Sequence, residues 1–180
     1  AASGWILDSG ERDRPWFAWV HLFDPHAPYD APGSGGQGYD GELRFVDEAL
    51  GAFLDRLNRS GAMARTLVMV TADHGESLGE HGESTHGLFT YDATMRVPLV
   101  LAGPGLGSGT HEAAVALIDL VPTALDVLGL PEDPALPGRS LRVLPAAASS
   151  GRAIYLEAMD GWLTAGAAPG AAVVRNGWKL

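Results

Sequence analysis

A run of strand-forming residues, Thr66-Leu67-Val68-Met69-Val70, stops at Thr71-Ala72 and delivers Asp73 and His74 side by side at its tip. In an open α/β sheet the carboxyl ends of the strands are where ligands bind. A carboxylate next to an imidazole at that place is better explained by a cation than by packing. A further polar cluster, Thr85-His86-Gly87, follows about a dozen residues on.

The rest of the chain alternates strand and helix. Residues 15–23, Pro-Trp-Phe-Ala-Trp-Val-His-Leu-Phe, are apolar on both faces and predict a central, buried strand. A loop rich in Pro and Gly follows, to about residue 38. Over residues 40–58, Leu43, Val46, Leu50, Phe53, Leu54 and Leu57 recur at a 3–4 spacing, with Asp47, Glu48, Asp55, Arg56 and Arg59 opposite. That is an amphipathic helix, ended by Ser60-Gly61. Residues 15–71 therefore read as one strand-helix-strand crossover, the unit of a parallel sheet.

Residues 97–101 predict another buried strand, and residues 117–128 a helix with Pro122 in its first turn. Residues 131–145 are irregular. Residues 153–157 and 171–175 are short strands that open a smaller antiparallel sheet. The Asn176-Gly177 turn and the residues after it read as a hairpin cut short. Since residues 1–14 do not read as an opening strand either, the chain is read as a segment of a longer protein.

Composition narrows the function classes. The 180 residues are 46% hydrophobic and 19% charged, a globular balance. No apolar run approaches the roughly 20 residues of a membrane-crossing helix, so no membrane segment is expected. Net charge is −10, with the basic residues scattered, and nucleic acid is not an expected partner. Cysteine is absent, so the redox compartment leaves no trace.

Asp73 offers hard oxygen and His74 imidazole nitrogen, a mixed set suited to a divalent cation. Two ligands fall short of a complete site. Taken alone, Asp-His-Gly favours a turn cap followed by a loop histidine, and the neighbouring motifs shift the balance toward the cation. Asp24-Pro25-His26-Ala27-Pro28-Tyr29 lies past the end of the predicted central strand, which puts His26 on the same rim. A histidine there donates to an anion or protonates a leaving oxygen; the alternative is a solvated His in a Pro-rich turn. His86 is a second acid or anion contact. Arg96 reads as a structural partner for a carboxylate and His21 as a core histidine, while His81 and His111 read as exposed. Asp73, His74, His26 and His86 are expected to converge on one rim, and any cation held there by this chain to be under-coordinated.

Several blocks carry a family resemblance. They are residues 17–29 (Phe-Ala-Trp-Val-His-Leu-Phe-Asp-Pro-His-Ala-Pro-Tyr), Tyr39-Asp40-Gly41-Glu42, and residues 71–82 (Thr-Ala-Asp-His-Gly-Glu-Ser-Leu-Gly-Glu-His-Gly). Thr85-His86-Gly87 through Arg96-Val97-Pro98-Leu99, residues 118–131, Gly138-Arg139-Ser140-Leu141, and Ala172-Val173-Val174-Arg175 with Trp178-Lys179-Leu180 complete the set. In this order they resemble the middle-to-late part of a sulfatase, in the alkaline-phosphatase-like superfamily.

That resemblance implies an α/β fold: an alkaline-phosphatase-like parallel-sheet sandwich, partial here over residues 1–145. Residues 146–180 would start a C-terminal subdomain with a small antiparallel sheet. It also implies hydrolysis of a small-molecule or glycan sulfate ester with a divalent metal, usually calcium, with manganese, magnesium and zinc open. By motif position Asp73 and His74 resemble two of four metal ligands, His26 the histidine at the sulfate and leaving group, and His86 the residue on the ester oxygen. The family's nucleophile is a formylglycine made from Cys or Ser in a Cys/Ser-x-Pro-x-Arg motif, which this chain lacks, so the segment alone is expected to be inactive. A phosphoethanolamine transferase or phosphonate monoester hydrolase of the same superfamily, or a non-catalytic module that keeps the fold, are the alternatives. The family favours a periplasmic or secreted location and leaves the oligomeric state open.

Overall fold

The 3–4 spacing of apolar residues produces the longest element, helix α2, Gly38–Arg59. Leu57 and Glu42 are fully buried on it, while the opposite face is charged. An exposed Arg59–Asp55 pair at 3.5 Å lies on that face; such pairs contribute only tenths of a kcal/mol, roughly 0.2–0.5. The helix closes as expected: the Ser60 amide bonds to the Arg56 carbonyl, and Gly61 takes the left-handed φ of 78° that a side chain would resist. Helix α1, Ala2–Asp8, packs against α2 and buries Ile6.

The structure, a computed structural model, describes residues 2–8, 15–30, 35–142 and 151–180. They form two compact units, residues 1–66 and 67–180. In the first unit, residues 15–23 depart from expectation. They form no strand, Phe17 and Trp19 are 81% and 79% exposed, and His21 is exposed rather than in a core. A strand apolar on both faces is stable only between neighbours that pair its backbone and cover its sides. The described residues of this unit contain no other strand, so the predicted crossover over 15–71 is not formed.

The second unit carries two sheets. Strand β1, Val68–Thr71, pairs antiparallel with β2, Leu99–Ala102, so that Thr71 lies opposite Leu99. The class is mixed α/β as expected, but the β1–β2 pairing is antiparallel, whereas the sequence places residues 66–71 in a parallel sheet. A parallel return needs a crossover that carries the chain back to the strand's starting end. Instead, residues 72–98 stay at the Thr71 end and contain only a tight 3-10 turn at Glu80–Gly82 and the one-turn helix α3, Asp92–Met95. Thr71 Oγ1 donates to the Pro98 carbonyl at 2.8 Å and locks that end.

Strands β3 (Ile154–Ala158), β4 (Gly170–Arg175) and β5 (Trp178–Lys179) form the antiparallel sheet in that order. Asn176 and Gly177 turn the β4–β5 hairpin with φ of 52° and 79°, the left-handed pair that tight hairpins require. Between β3 and β4 lies a short helix with no counterpart in the sequence expectations, α5, Asp160–Ala165.

Helix α4, Leu120–Val127, follows a single tighter turn over Leu117–Asp119, with Pro122 in its first turn as predicted. Asp119 beneath it is fully buried and accepts four hydrogen bonds. Arg152 supplies two, at 2.6 and 2.7 Å, and the amides of Ala116 and Arg139 supply one each at 2.9 Å. Burial by itself would raise the Asp119 carboxyl; the Arg152 guanidinium and the two amides outweigh it and hold the group below its ordinary 3.8. Buried Thr123 ties the same region, donating to the Asp119 carbonyl at 2.6 Å and accepting from the Leu141 amide at 2.9 Å.

Candidate active site

The residues after β1 fold back on themselves because of one glycine. The Gly75 amide donates to the Thr94 carbonyl at 2.7 Å, which brings the motif loop against α3. A Cβ at this position would sit 2.1 Å from the Ala93 carbonyl oxygen. Only glycine permits that approach. Gly75→Ala is expected to destabilise the full-length protein by about 2–3 kcal/mol through overpacking, measured by denaturant unfolding; an unchanged midpoint would contradict the close approach.

Buried Ser77 organises the next turn. Its amide donates to the Thr85 carbonyl at 2.9 Å and its hydroxyl lies 2.9 Å from the Glu83 carbonyl. Glu80 Oε2 accepts from the Leu78 amide at 2.7 Å, and that bond is the first cause holding the Glu80 carboxyl below its usual range. Glu83 is buried and accepts from the Leu88 and Phe89 amides at 2.7 and 3.3 Å. These contacts return the chain, so that residues ten or more apart in sequence meet.

Asp73 and His74 stand at the open end of this loop. The Asp73 side chain is 78% exposed and that of His74 39%. The His74 ring donates from Nδ1 to the Gly75 carbonyl at 2.9 Å, since a carbonyl only accepts. In the neutral ring this makes Nε2 the basic nitrogen, and it lies 3.8 Å from Asp73 Oδ2. A cation at about 2.0–2.6 Å from each atom bridges that gap. An imidazole whose second nitrogen donates to a backbone carbonyl is also the usual arrangement of a metal-ligating histidine. The donor set therefore fits half of a divalent site. Among the described residues, no group of three or more His, Cys, Asp or Glu is placed to hold a metal by itself.

His86 stacks on His74, with ring centroids 3.9 Å apart and planes inclined by 28°. Its Nδ1 lies 3.2 Å from Glu76 Oε1 and 3.1 Å from Thr85 Oγ1. The Glu76 side chain is only 5% exposed. Behind the ring, Gly87 adopts φ of 93° and its carbonyl accepts the Asp160 amide at 3.0 Å, which seats the start of α5 there. Sequence reading gave Glu76 no role, because its partner is ten residues on and only the loop fold brings the two together.

His26 belongs to the first unit. It follows a turn closed by its amide on the Phe23 carbonyl at 3.0 Å and precedes the cis Ala27–Pro28 bond. Its ring stacks on Phe23 at 4.8 Å, and Nδ1 donates to the Ala27 carbonyl at 2.7 Å. Phe23, Asp24, His26, Ala27, Pro28 and Asp30 line a cavity of about 210 Å³. Arg96 is exposed and pairs with no carboxylate among the described residues, contrary to expectation. His81 is exposed as expected, stacked on Tyr91 at 3.8 Å, and so is His111.

A family model described as Sulfatase matches residues 1–130. The chain belongs to the sulfatase family. It is 35% identical over 92 residues to a choline-sulfatase of Rhizobium meliloti, which covers 51% of the chain and 18% of that protein. It is 32% identical over 119 residues to arylsulfatase K of Mus musculus, covering 66% and 21%. A homologue of an extracellular sulfatase from Drosophila melanogaster matches at 33% over 121 residues, 67% of the chain and 10% of that protein. The chain thus spans about a fifth or less of the curated relatives' length.

Two solved structures share the fold. One is a putative sulfatase from Bacteroides thetaiotaomicron, with TM-score 0.63 and 22% identity, covering 76% of the chain and 31% of that structure. The other was solved in complex with its substrate D-glucosamine-2-N,6-O-disulfate, with TM-score 0.59 and 25% identity, covering 77% and 29%. The fold of this sulfatase chain is accordingly a part of the alkaline-phosphatase-like α/β architecture.

Proposed function

We propose that the full-length protein hydrolyses sulfate esters with a divalent metal, and that this chain supplies half of the site. The observation that carries the reading is the exposed Asp73–His74 pair, with Asp73 Oδ2 and His74 Nε2 at 3.8 Å and His74 Nδ1 already committed to a backbone carbonyl. Asp73 and His74 would hold the metal, calcium by family habit, which when bound polarises the sulfuryl oxygens. The stacked His86 contacts the ester oxygen and offsets charge as the S–O bond breaks. His26 gives a proton to the departing alkoxide. The formylglycine nucleophile and the remaining ligands belong to sequence outside this chain, so the segment alone is inactive.

The substrate class is a sulfated small molecule or glycan. Support comes from relatives named for choline sulfate and aryl sulfates and from the neighbour bound to a disulfated glucosamine. The extracellular relative supports a periplasmic or secreted location. The test is turnover of 4-nitrophenyl sulfate and 4-nitrophenyl phosphate by the full-length protein, with and without a chelator. Chelator-sensitive hydrolysis that favours the sulfate is the expected result. Preference for the phosphate would assign the protein to the phosphoryl branch of the superfamily, and inertness to both would point to a non-catalytic module.

A further inference from the structure

The Glu76 carboxylate is almost fully removed from solvent and sits 3.2 Å from His86 Nδ1. A buried carboxylate is costly to retain unless its hydrogen bonds are made. The loop is built to make this one: Gly75 turns the chain, the Ser77 amide binds the Thr85 carbonyl, and His86 follows at once. Glu76 and Thr85 both reach the same ring nitrogen, while His74 covers the face of the ring. The ring is therefore constrained in its plane by two polar contacts and out of its plane by stacking.

We infer that Glu76 is a positioning residue, which fixes Nδ1 as the N–H donor of His86 and sets the angle at which that imidazole meets the substrate. A carboxylate accepts from Nδ1–H, so it selects one tautomer, as outer-shell acids do for functional histidines elsewhere. The inference rests on the sulfate-ester reading above and adds to it a residue that touches neither substrate nor metal. Glu76 acts only through His86, and that dependence is what distinguishes it from a group that merely stabilises the loop.

The test is a double-mutant cycle on the full-length protein with 4-nitrophenyl sulfate as probe, accompanied by thermal melting of each variant. Glu76→Ala is expected to lower kcat about 10- to 100-fold with a smaller change in KM. In the His86→Ala background the same substitution is expected to change kcat less than about twofold. Glu76→Gln, which fills the same volume, carries the cycle if the alanine variant does not fold. Equal losses with and without His86, or a Glu76 variant as active as wild type, would overturn the inference while leaving the sulfate-ester reading intact. A wild-type protein inert to the probe would overturn that reading, and this inference with it.

Discussion

Asp73→Ala and His74→Ala in the full-length protein are each expected to lower kcat/KM for a sulfate ester by about a thousandfold or more. The reason is the metal chemistry that the pair would support on the proposed reading. A divalent ion stabilises developing sulfuryl charge by several kcal/mol, and each factor of ten in rate corresponds to about 1.4 kcal/mol. Each variant is also expected to weaken divalent-cation binding by roughly two orders of magnitude, since one of few strong donors is lost. Both side chains are substantially exposed, and neither supports a core. Their melting temperatures without metal should therefore stay close to that of wild type. Calorimetric titration with the metal, beside a chelated melt, separates the two effects. Loss of folding in the chelated melt would show that Asp73 and His74 serve as turn and cap.

Asp119→Ala is expected to be the most destabilising polar substitution, by about 3–5 kcal/mol, because it leaves Arg152 facing a buried site with no counter-charge. Arg152 itself is only 16% exposed, so water does not replace the lost partner. The same pair fixes an acid dependence. A carboxyl whose folded value lies below its unfolded 3.8 adds stability that is fully present above that value. The contribution is lost as pH falls from about 3.8 through the depressed folded value. Denaturant unfolding between pH 7 and pH 2 should show this loss in wild type and a flatter acid limb in Asp119→Asn. Equal acid slopes in the two proteins would contradict the assignment.

The elements that sequence made legible are those whose cause is local. Six apolar residues at helical spacing suffice for α2, and Ser60-Gly61 to end it. Asn176-Gly177 carries its own turn geometry, so the β4–β5 hairpin was readable. Residues 15–23 were misread because strand formation depends on partners, not on β-propensity alone. Helix α5 was missed because six residues, Gly161 among them, give too little periodicity. The antiparallel β1–β2 pairing depends on how residues 72–98 fold back, and no pattern in β1 or β2 encodes that.

The same division applies to the candidate site. Asp73 and His74 are neighbours in the chain, so their pairing could be read directly. The stack of His74 on His86, and the hold of Glu76 on His86, arise from Gly75 lying against Ala93 and from the bond between the Ser77 amide and Thr85. Each of those is a tertiary contact of one loop. Histidine and glutamate ten residues apart in an irregular segment carry no periodic sign of contact.

Anomalous diffraction from crystals of the full-length protein loaded with manganese is the most direct measurement of whether this chain supplies half of a cation-assisted ester site. A manganese peak within about 2.0–2.6 Å of an Asp73 carboxylate oxygen and of His74 Nε2, with the remaining ligands drawn from outside residues 1–180, is the expected result. A well-occupied ion elsewhere, with the Asp73 and His74 side chains turned away from it, would contradict it.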